Sequence, residues 1–372
     1  MTRRPASTRS PTPEARISWC SCSSGPTSTR RRRPSPAMRG DAELTVGLLG
    51  AGMIAGVHAR AYRHCPGVRL VAVADPVPGK AGRIAGEHGA KVVPDLDALL
   101  DLGVDVVDVC TPPTAHADAT IAALWAGRHV LCEKPITRTM DEARRVLAAA
   151  EAAPGLLSIG QVARYGPDHR LARDLAVSGD IGLVRMVSHS TTTSLPGWSE
   201  AGWLADAATS GGPLLDQGVH GFDYARWVIG SPAVRVHCMA AGSGAGEPTY
   251  TLATVRYENG SIAHVECSWA HPASRGFKLR AEIVGTEGRL SWDYDHMMGG
   301  VLHAREGGAE WWDVLGDREF VLELGAFFAA CRDGGPPPVP AAEAVESLRT
   351  ALAALESART GKTIDLTTWE LG

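Results

Sequence analysis

The stretch "VGLLGAGMIAGVHARAY", Val46 to Tyr62, decides the fold of this chain. An apolar strand leads into the pattern G-x-G-x-x-A, and a helix-like segment follows it. Gly50 permits a tight turn, Gly52 lets the backbone approach a pyrophosphate, and Ala55 lets helix and strand pack closely. The helix N-terminus would face the phosphates, so the stretch predicts a dinucleotide-binding site.

An acidic residue supports this prediction and bears on the choice of dinucleotide. Asp75 ends the strand Val68–Asp75, at the position where a carboxylate accepts hydrogen bonds from ribose hydroxyls. It would also repel a 2′-phosphate, which favours NAD. Lys80 and Arg83 follow closely, so NADP stays open as the less favoured alternative.

Strand-like and helix-like segments alternate along the first half of the chain. Thr139 and Glu142 have the spacing of a capping box at one helix start. Strands rich in Val, Leu and Ile with helices between them predict a doubly wound parallel sheet of the Rossmann type. The predicted strands are Leu44–Leu49, Val68–Asp75, Val104–Pro113 and His129–Pro135, and the predicted helices are Ile54–His64, residues 78–89, Thr114–Gly127 and Thr139–Ala153.

Two motifs stand where strands of this predicted sheet end. "CTPPTAH" spans Cys110–His116, and "CEKP" spans Cys132–Pro135. Ligands of such sheets bind just beyond the carboxyl ends of the strands, so Lys134 should project into the cofactor crevice. His116 either contributes to that site or only packs at a helix start.

The second half of the chain changes its pattern from about Leu156. Runs such as "YTLATVRYENGSIAHVECSWA" alternate in the antiparallel manner, and Glu258–Gly260 and Thr286–Gly288 are hairpin turn signals. We expect an α+β domain with a large, open, mostly antiparallel sheet, one face of which is suited to oligomerisation.

A segment between these strands carries candidate acid–base residues. In "GGPLLDQGVHGFDYARWVIG", Asp216 and His220 are four residues apart and share one face of a helix, and Asp223 continues that face. An acid beside a histidine can orient the imidazole and stabilise its charged form, which would give a base near neutral pH. The alternative is that His220 only caps or packs.

Residues 1–40 differ from the rest in composition. They hold nine Arg, no Lys and one acidic residue, and they are rich in Ser, Thr and Pro, which predicts a disordered basic extension. It would be a transit-like segment, a nucleic-acid arm, or an upstream extension with the true start at Met38; we favour the last.

The remaining chain is acidic, since the formal net charge of −4 includes those arginines. An acidic body argues against a nucleic-acid surface. No apolar run is long enough for a membrane helix. The eight cysteines show no zinc-ligand spacing, and they indicate a reducing, cytoplasmic compartment and no metal site.

Together these motifs resemble the family of glucose–fructose oxidoreductase, inositol dehydrogenase and rhizopine-catabolism proteins. The resemblance runs in order through "GAGMIAGVHA", "VAVADP", "CTPPTAH", "AGRHVLCEKPIT", "ARYGP", "GGPLLDQGVHGFD", "GTEGRL" and "SARTGKTIDL". It implies an N-terminal Rossmann domain, a C-terminal α/β domain that often forms a dimer or tetramer, and hydride exchange between NAD(P) and a sugar or cyclitol hydroxyl.

The resemblance also implies roles for individual residues. Lys134, Asp216 and His220 match the catalytic positions: His220 would take the hydroxyl proton, Lys134 would hydrogen-bond the same oxygen, and Asp216 would hold substrate or tune His220. The implied cofactor contacts are Gly50, Gly52, Met53, Ile54, Asp75, Thr111, Pro112, His116, Glu133 and Lys134.

The implied substrate contacts are Arg164, Tyr165, Trp203, Asp216 and His220, with Trp198 as a further aromatic that either stacks on a sugar or packs. Two other functions stay open for such a fold: a non-catalytic NAD(P)-binding sugar sensor, and a glycosidase that retains its NAD.

We place the domain boundaries at 41–155 for the Rossmann domain and 156–372 for the substrate and oligomerisation domain. We also expect the C-terminal helix to pack back on the first domain.

Overall fold

The computed structural model describes residues 43–77, 79–195, 204–242, 249–294, 301–305, 308–312 and 318–369. The basic segment 1–40 and the two tryptophans Trp198 and Trp203 lie outside these ranges. None of the described helices is long and apolar enough to cross a membrane.

The first half forms a parallel sheet with six described strands in the order β3-β2-β1-β4-β5-β6. This order is the doubly wound Rossmann arrangement, so the predicted fold is confirmed. The strands are β1 (Leu44–Leu49), β2 (Val68–Ala74), β3 (Lys91–Val93), β4 (Val106–Val109), β5 (His129–Glu133) and β6 (Leu157–Gly160).

Helices cover both faces of this sheet because its strands are apolar on both sides. One face packs against α1 and α2, and the other packs against α4 and α5. The capping box of Thr139 and Glu142 is present at the start of α5. The helices are α1 (Met53–Tyr62), α2 (Lys80–His88), α3 (Leu96–Asp101), α4 (His116–Trp125) and α5 (Met140–Ala152).

Three elements differ from the sequence-based expectations. The short β3 and α3 were not predicted. Strand β6 pairs in parallel with β5, so the first sheet continues to Gly160, beyond the boundary we placed at 155. Strand β6 has only four residues, all of them buried, and such a short run shows no period in the sequence.

The second half forms a sheet with seven described strands in the order β12-β11-β7-β10-β9-β8-β15. β7 and β10 pair in parallel, and the other described neighbours pair antiparallel, as expected. The strands are β7 (Val184–Thr192), β8 (Ala233–Ala241), β9 (Tyr250–Tyr257), β10 (Ile262–Ser268), β11 (Lys278–Gly285), β12 (Arg289–Tyr294) and β15 (Ile364–Asp365), and a separate hairpin holds β13 (Val301–Arg305) and β14 (Gly308–Trp312).

The helices of the second half connect the two sheets. Helix α8 packs on β7, and α10 packs on both β8 and α5. Helix α9 returns to the first half, where Phe320 and Phe328 contact His58 and Tyr62 of α1. The helices are α6 (Pro167–Ser178), α7 (Ala207–Ser210), α8 (Val219–Ile229), α9 (Arg318–Asp333) and α10 (Ala341–Thr360).

Candidate active site

A cleft of about 840 Å³ opens at the carboxyl ends of the first sheet's strands. Its walls come from both halves of the chain. The first half contributes the glycine-rich turn and the ends of β2, β4 and β5, whereas the second contributes the start of α8 and one face of its sheet. A ligand that fills the cleft therefore meets both halves.

The glycine-rich turn has the shape that a dinucleotide needs. Gly50 has φ +96°, and a Cβ there would lie 2.5 Å from the Cys110 carbonyl oxygen. A Cβ at Gly52 would meet nothing within 4 Å, so its surroundings are open. No side chain caps the N-terminus of α1, which leaves its N–H groups available to phosphate oxygens.

Asp75 holds this turn in place and lines the cleft. One of its carboxylate oxygens accepts the Ala51 N–H at 2.8 Å, and the other accepts the Val77 N–H at 2.8 Å. Lys80 and Arg83 line the same end of the cleft. Both the acidic residue that favours NAD and the basic residues that would suit NADP are thus at this end.

The strand-end residues divide into two groups. Thr111, Pro112, Glu133 and Lys134 line the cleft, together with Met53 and Ile54 of α1. His116 is fully buried instead, and its two ring nitrogens lie 2.8 Å from the carbonyl oxygens of Pro135 and Thr111. Burial lowers the pKa of His116, so the neutral ring donates to one of these two carbonyl oxygens, which corrects the expectation that it contacts the cofactor directly.

Lys134 links the two halves of the site. Its Nζ donates to Oδ1 of Asp216 at 2.9 Å and to the main-chain oxygen of Asp216 at 2.8 Å. Both side chains are about one-fifth exposed, at 19% and 21%. The π-helical turn Leu214–Gly218 carries Asp216 toward the end of β5. The pair is therefore formed, yet still reachable from the cleft.

His220 is the second residue of α8 and lines the same cleft. Its Nδ1 has no hydrogen-bond partner among the described residues. Burial lowers the pKa of His220 well below its usual value, and the nearby Lys134, His189 and His169 lower it further. His220 is therefore a neutral imidazole that can accept a proton. The sequence-based expectation that an acid stabilises the charged form of His220 is wrong, because Asp216 pairs with Lys134 instead.

Arg164 and Tyr165 lie away from the cleft walls, contrary to the implied role in substrate binding. Arg164 is 6% exposed and makes a two-pronged ion pair with Asp223, with N–O distances of 2.6 and 2.7 Å. Its third nitrogen lies 2.8 Å from Glu343 of α10. This pair occupies both Arg164 and Asp223, so Asp223 does not continue the His220 face into the cleft. Tyr165 is buried at 7% exposure.

Two cleft residues escaped the sequence analysis. His169 of α6 and His189 of β7 line the cleft, with ring centroids 5.7 Å apart. Burial lowers the pKa of His169 to about 3 and that of His189 to about 4. His189 shares the buried face of β7 with Val187 and Thr191, so the alternating pattern of "VRMVSHSTTT" was the signal that could have found it.

The fold and the cleft define an NAD-binding oxidoreductase with a Rossmann domain and a second α/β domain. Residues 44–161 match the model of the oxidoreductase family with an NAD-binding Rossmann fold, and residues 169–291 match the GFO/IDH/MocA C-terminal domain. The chain belongs to the GFO/IDH/MocA oxidoreductase family, which confirms the resemblance.

Relatives of known name align over most of the chain. The rhizopine catabolism protein MocA of Rhizobium meliloti is 30% identical over 84% of this chain and 94% of its own. The scyllo-inositol 2-dehydrogenase (NAD(+)) of Bacillus subtilis is 27% identical over 87% of this chain and 96% of its own.

Solved structures of similar proteins superpose on most of this chain. GenD2 from gentamicin A biosynthesis, in complex with NAD, superposes with a TM-score of 0.79 at 29% identity, covering 90% of this chain and 98% of its own. A myo-inositol dehydrogenase from Corynebacterium glutamicum superposes with a TM-score of 0.74 at 26% identity, covering 87% and 98%.

Proposed function

We propose that this oxidoreductase transfers a hydride between NAD and a hydroxyl or carbonyl group of a sugar, inositol or related polyol. One observation carries the proposal: the Lys134–Asp216 pair and the neutral His220 face the same cleft as the glycine-rich turn. The names of the relatives, which are inositol and sugar dehydrogenases, point to the same class of substrate.

In this proposal the protein's own groups handle the proton. His220 accepts the hydroxyl proton, since its imidazole is neutral and the residue lines the cleft. Lys134 donates a hydrogen bond to the same oxygen, and Asp216 holds the Lys134 ammonium in position. NAD, when bound by the glycine-rich turn, supplies the hydride acceptor. A positioned general base of this kind accelerates a reaction about 10²- to 10⁴-fold.

The remaining sequence-based predictions complete the proposal. The outward face of the second sheet exposes Met239 (65%) and Ile262 (36%), and such apolar exposure supports a homodimer or homotetramer through that sheet. The six described cysteines are buried free thiols, which supports a cytoplasmic location. We divide the two domains after β6 instead of at the sequence-based boundary of residue 155, because β6 pairs with β5. We expect no nucleic-acid partner.

The first experiment is NADH formation by the purified full-length chain with inositols, aldoses, glycosides and amino sugars. NADP is run in parallel. Net NADH formation with one substrate class would support the dehydrogenase and name its substrate. NAD binding without turnover across the panel would favour the sensor, and glycoside cleavage without net NADH would favour a glycosidase that retains its cofactor.

A further inference from the structure

A buried polar cluster lies behind the cleft, between the first sheet and helices α1 and α9. It consists of His58, Asp108, Glu133 and Glu323, which we call the His58 cluster. Each of its residues is at most 6% exposed, although the surrounding core is apolar. Burying charged groups is costly unless they pair with one another. The proposed proton transfer uses none of these side chains, so their presence requires an explanation.

His58 and Asp108 form the inner end of the cluster. His58 Nδ1 lies 2.8 Å from Oδ2 of Asp108, and the Tyr62 hydroxyl donates to the same oxygen. The Cys110 thiol lies 3.5 Å from both side chains. His58, Asp108 and Cys110 are residue types that can ligate a metal ion. However, a direct hydrogen bond joins His58 to Asp108, and hydrogen bonding accounts for the grouping.

His58 also reaches the wall of the cleft through Glu133. Its Nε2 lies 3.2 Å from Oε1 of Glu133, an ion-pair contact without the angle of a hydrogen bond. The other Glu133 oxygen accepts the main-chain N–H of Lys134 at 3.0 Å. A Cβ at Gly160 would lie 2.9 Å from the first oxygen, so the glycine leaves room for this carboxylate. The Glu133 side chain is thus held on three sides where it lines the cleft.

The charges of the cluster do not cancel. Burial alone lowers the pKa of His58, but the adjacent Asp108 carboxylate outweighs it, and the pKa is raised well above its usual value. Burial raises the pKa of Glu323 well above its usual range, and neither carboxyl oxygen has a described hydrogen-bond partner, so Glu323 is neutral. One imidazolium between two carboxylates leaves one net negative charge.

This charge lies next to the reacting end of the cleft. Glu133 precedes Lys134, and Lys134 pairs with Asp216 near His220. The nicotinamide ring has to reach these groups for hydride transfer. The ring is cationic in NAD⁺ and neutral in NADH, so a fixed negative charge distinguishes the two.

We propose that the net negative charge of the His58 cluster, whose Glu133 carboxylate lines the cleft wall, makes the cleft bind NAD⁺ more tightly than NADH. This inference goes beyond the proposed function, because it rests on the cofactor and not on any substrate. A failure of polyol oxidation leaves it standing.

The test measures the dissociation constants of NAD⁺ and NADH for the full-length chain without substrate. Glu133→Gln keeps the shape of the side chain but removes its charge, so we expect the preference for NAD⁺ to fall roughly tenfold. Glu133→Met removes the same charge with an apolar side chain of similar length, so it should change the preference in the same direction, and it serves if the first variant does not fold. His58→Gln removes the positive charge and should not lower the preference.

Glu323→Gln is the matched control, because it makes the same substitution in the same buried layer at a residue that is already neutral. It should leave the ratio of the two constants within about twofold, since no charge is lost. A purely structural role for the cluster would weaken both cofactors equally and leave the ratio unchanged. Unchanged ratios in Glu133→Gln and Glu133→Met would overturn the proposal, and so would a change in Glu323→Gln as large as theirs.

Discussion

His58 and His220 both lie near the Glu133–Lys134 segment, yet His58 is charged and His220 is neutral. His58 lies between two carboxylates and is held as an imidazolium. His220 lies near the Lys134 ammonium and two other imidazoles, and it is held neutral. Burial opposes charge on both rings, so the neighbouring groups decide the outcome. The comparison teaches that a buried histidine takes its role from its partners.

The largest effect is expected on turnover, when His220, the neutral histidine, is replaced. His220→Ala removes the proposed proton acceptor, so turnover should fall about 10²- to 10⁴-fold. NAD affinity and melting temperature should stay close to wild type. Lys134→Ala should also abolish most of the turnover, whereas His64→Ala, at an exposed surface histidine, is the matched control. Near-wild-type rates in either site variant would remove that residue from the catalytic group.

The second effect is on stability as the pH falls. His169 and His189 have folded-state pKa values of about 3 and 4, below the ordinary 6.5, so they take up protons on unfolding in acid. Their contribution is complete above about pH 6.5, and each should lose about 2 kcal/mol by about pH 5. His58, with its raised pKa, contributes fully below its ordinary pKa and loses its contribution at high pH.

Urea unfolding at pH 7.5 and about pH 5 measures this difference. His189→Gln should reduce the pH dependence, and His64→Gln should not. If wild type were as stable at the lower pH as at the higher, the assignment of neutral cleft histidines would fail.

A third prediction concerns Glu133, the carboxylate beside the charged His58, and it changes the packing around Glu133 but not its charge. Gly160→Ala places a Cβ against the Glu133 carboxylate, and such crowding should cost about 1–3 kcal/mol of unfolding free energy. Gly86→Ala in α2 is the control, because a Cβ there meets nothing within 4 Å. Thermal unfolding of both variants checks this, and equal melting temperatures would show that Glu133 can move at no cost.

The smallest effect concerns the acid side of the pH–rate profile. A base with a lowered pKa stays unprotonated in mild acid, so kcat/KM should hold down to about pH 5.5, where an ordinary histidine would lose about tenfold. Steady-state rates across pH with the substrate found in the panel give the profile. An acid limb at or above pH 6.5 would mean that His220 is not the base or is not held neutral.

The parts of this molecule that depend on local sequence could be predicted. The turn at Gly50–Ala55 follows from glycine conformation and helix packing, and the capping box at Thr139 follows from residues three positions apart. The alternation of strands and helices was sufficient for the doubly wound sheet. Short elements such as β3 and α3 escaped, because too few residues are present to show a period.

The errors at the site have a different origin, since they depend on partners far away in the chain. From the sequence, Arg164 is expected in the cleft. The structure shows that it pairs instead with Asp223, 59 positions later. The sequence suggests a charged His220 because it does not show that Asp216 contacts Lys134, which lies 82 positions away. Local pattern indicates which residue types are available, whereas the tertiary fold decides which of them are already paired.

The Lys134–Asp216 contact has a consequence for the molecule as a whole. Lys134 follows a strand of one domain, and Asp216 and His220 belong to the other, so neither domain alone holds a complete proton-handling group. One apolar core cluster includes residues of both sheets and of α10, so the packing that joins the two halves of the chain also holds these groups together.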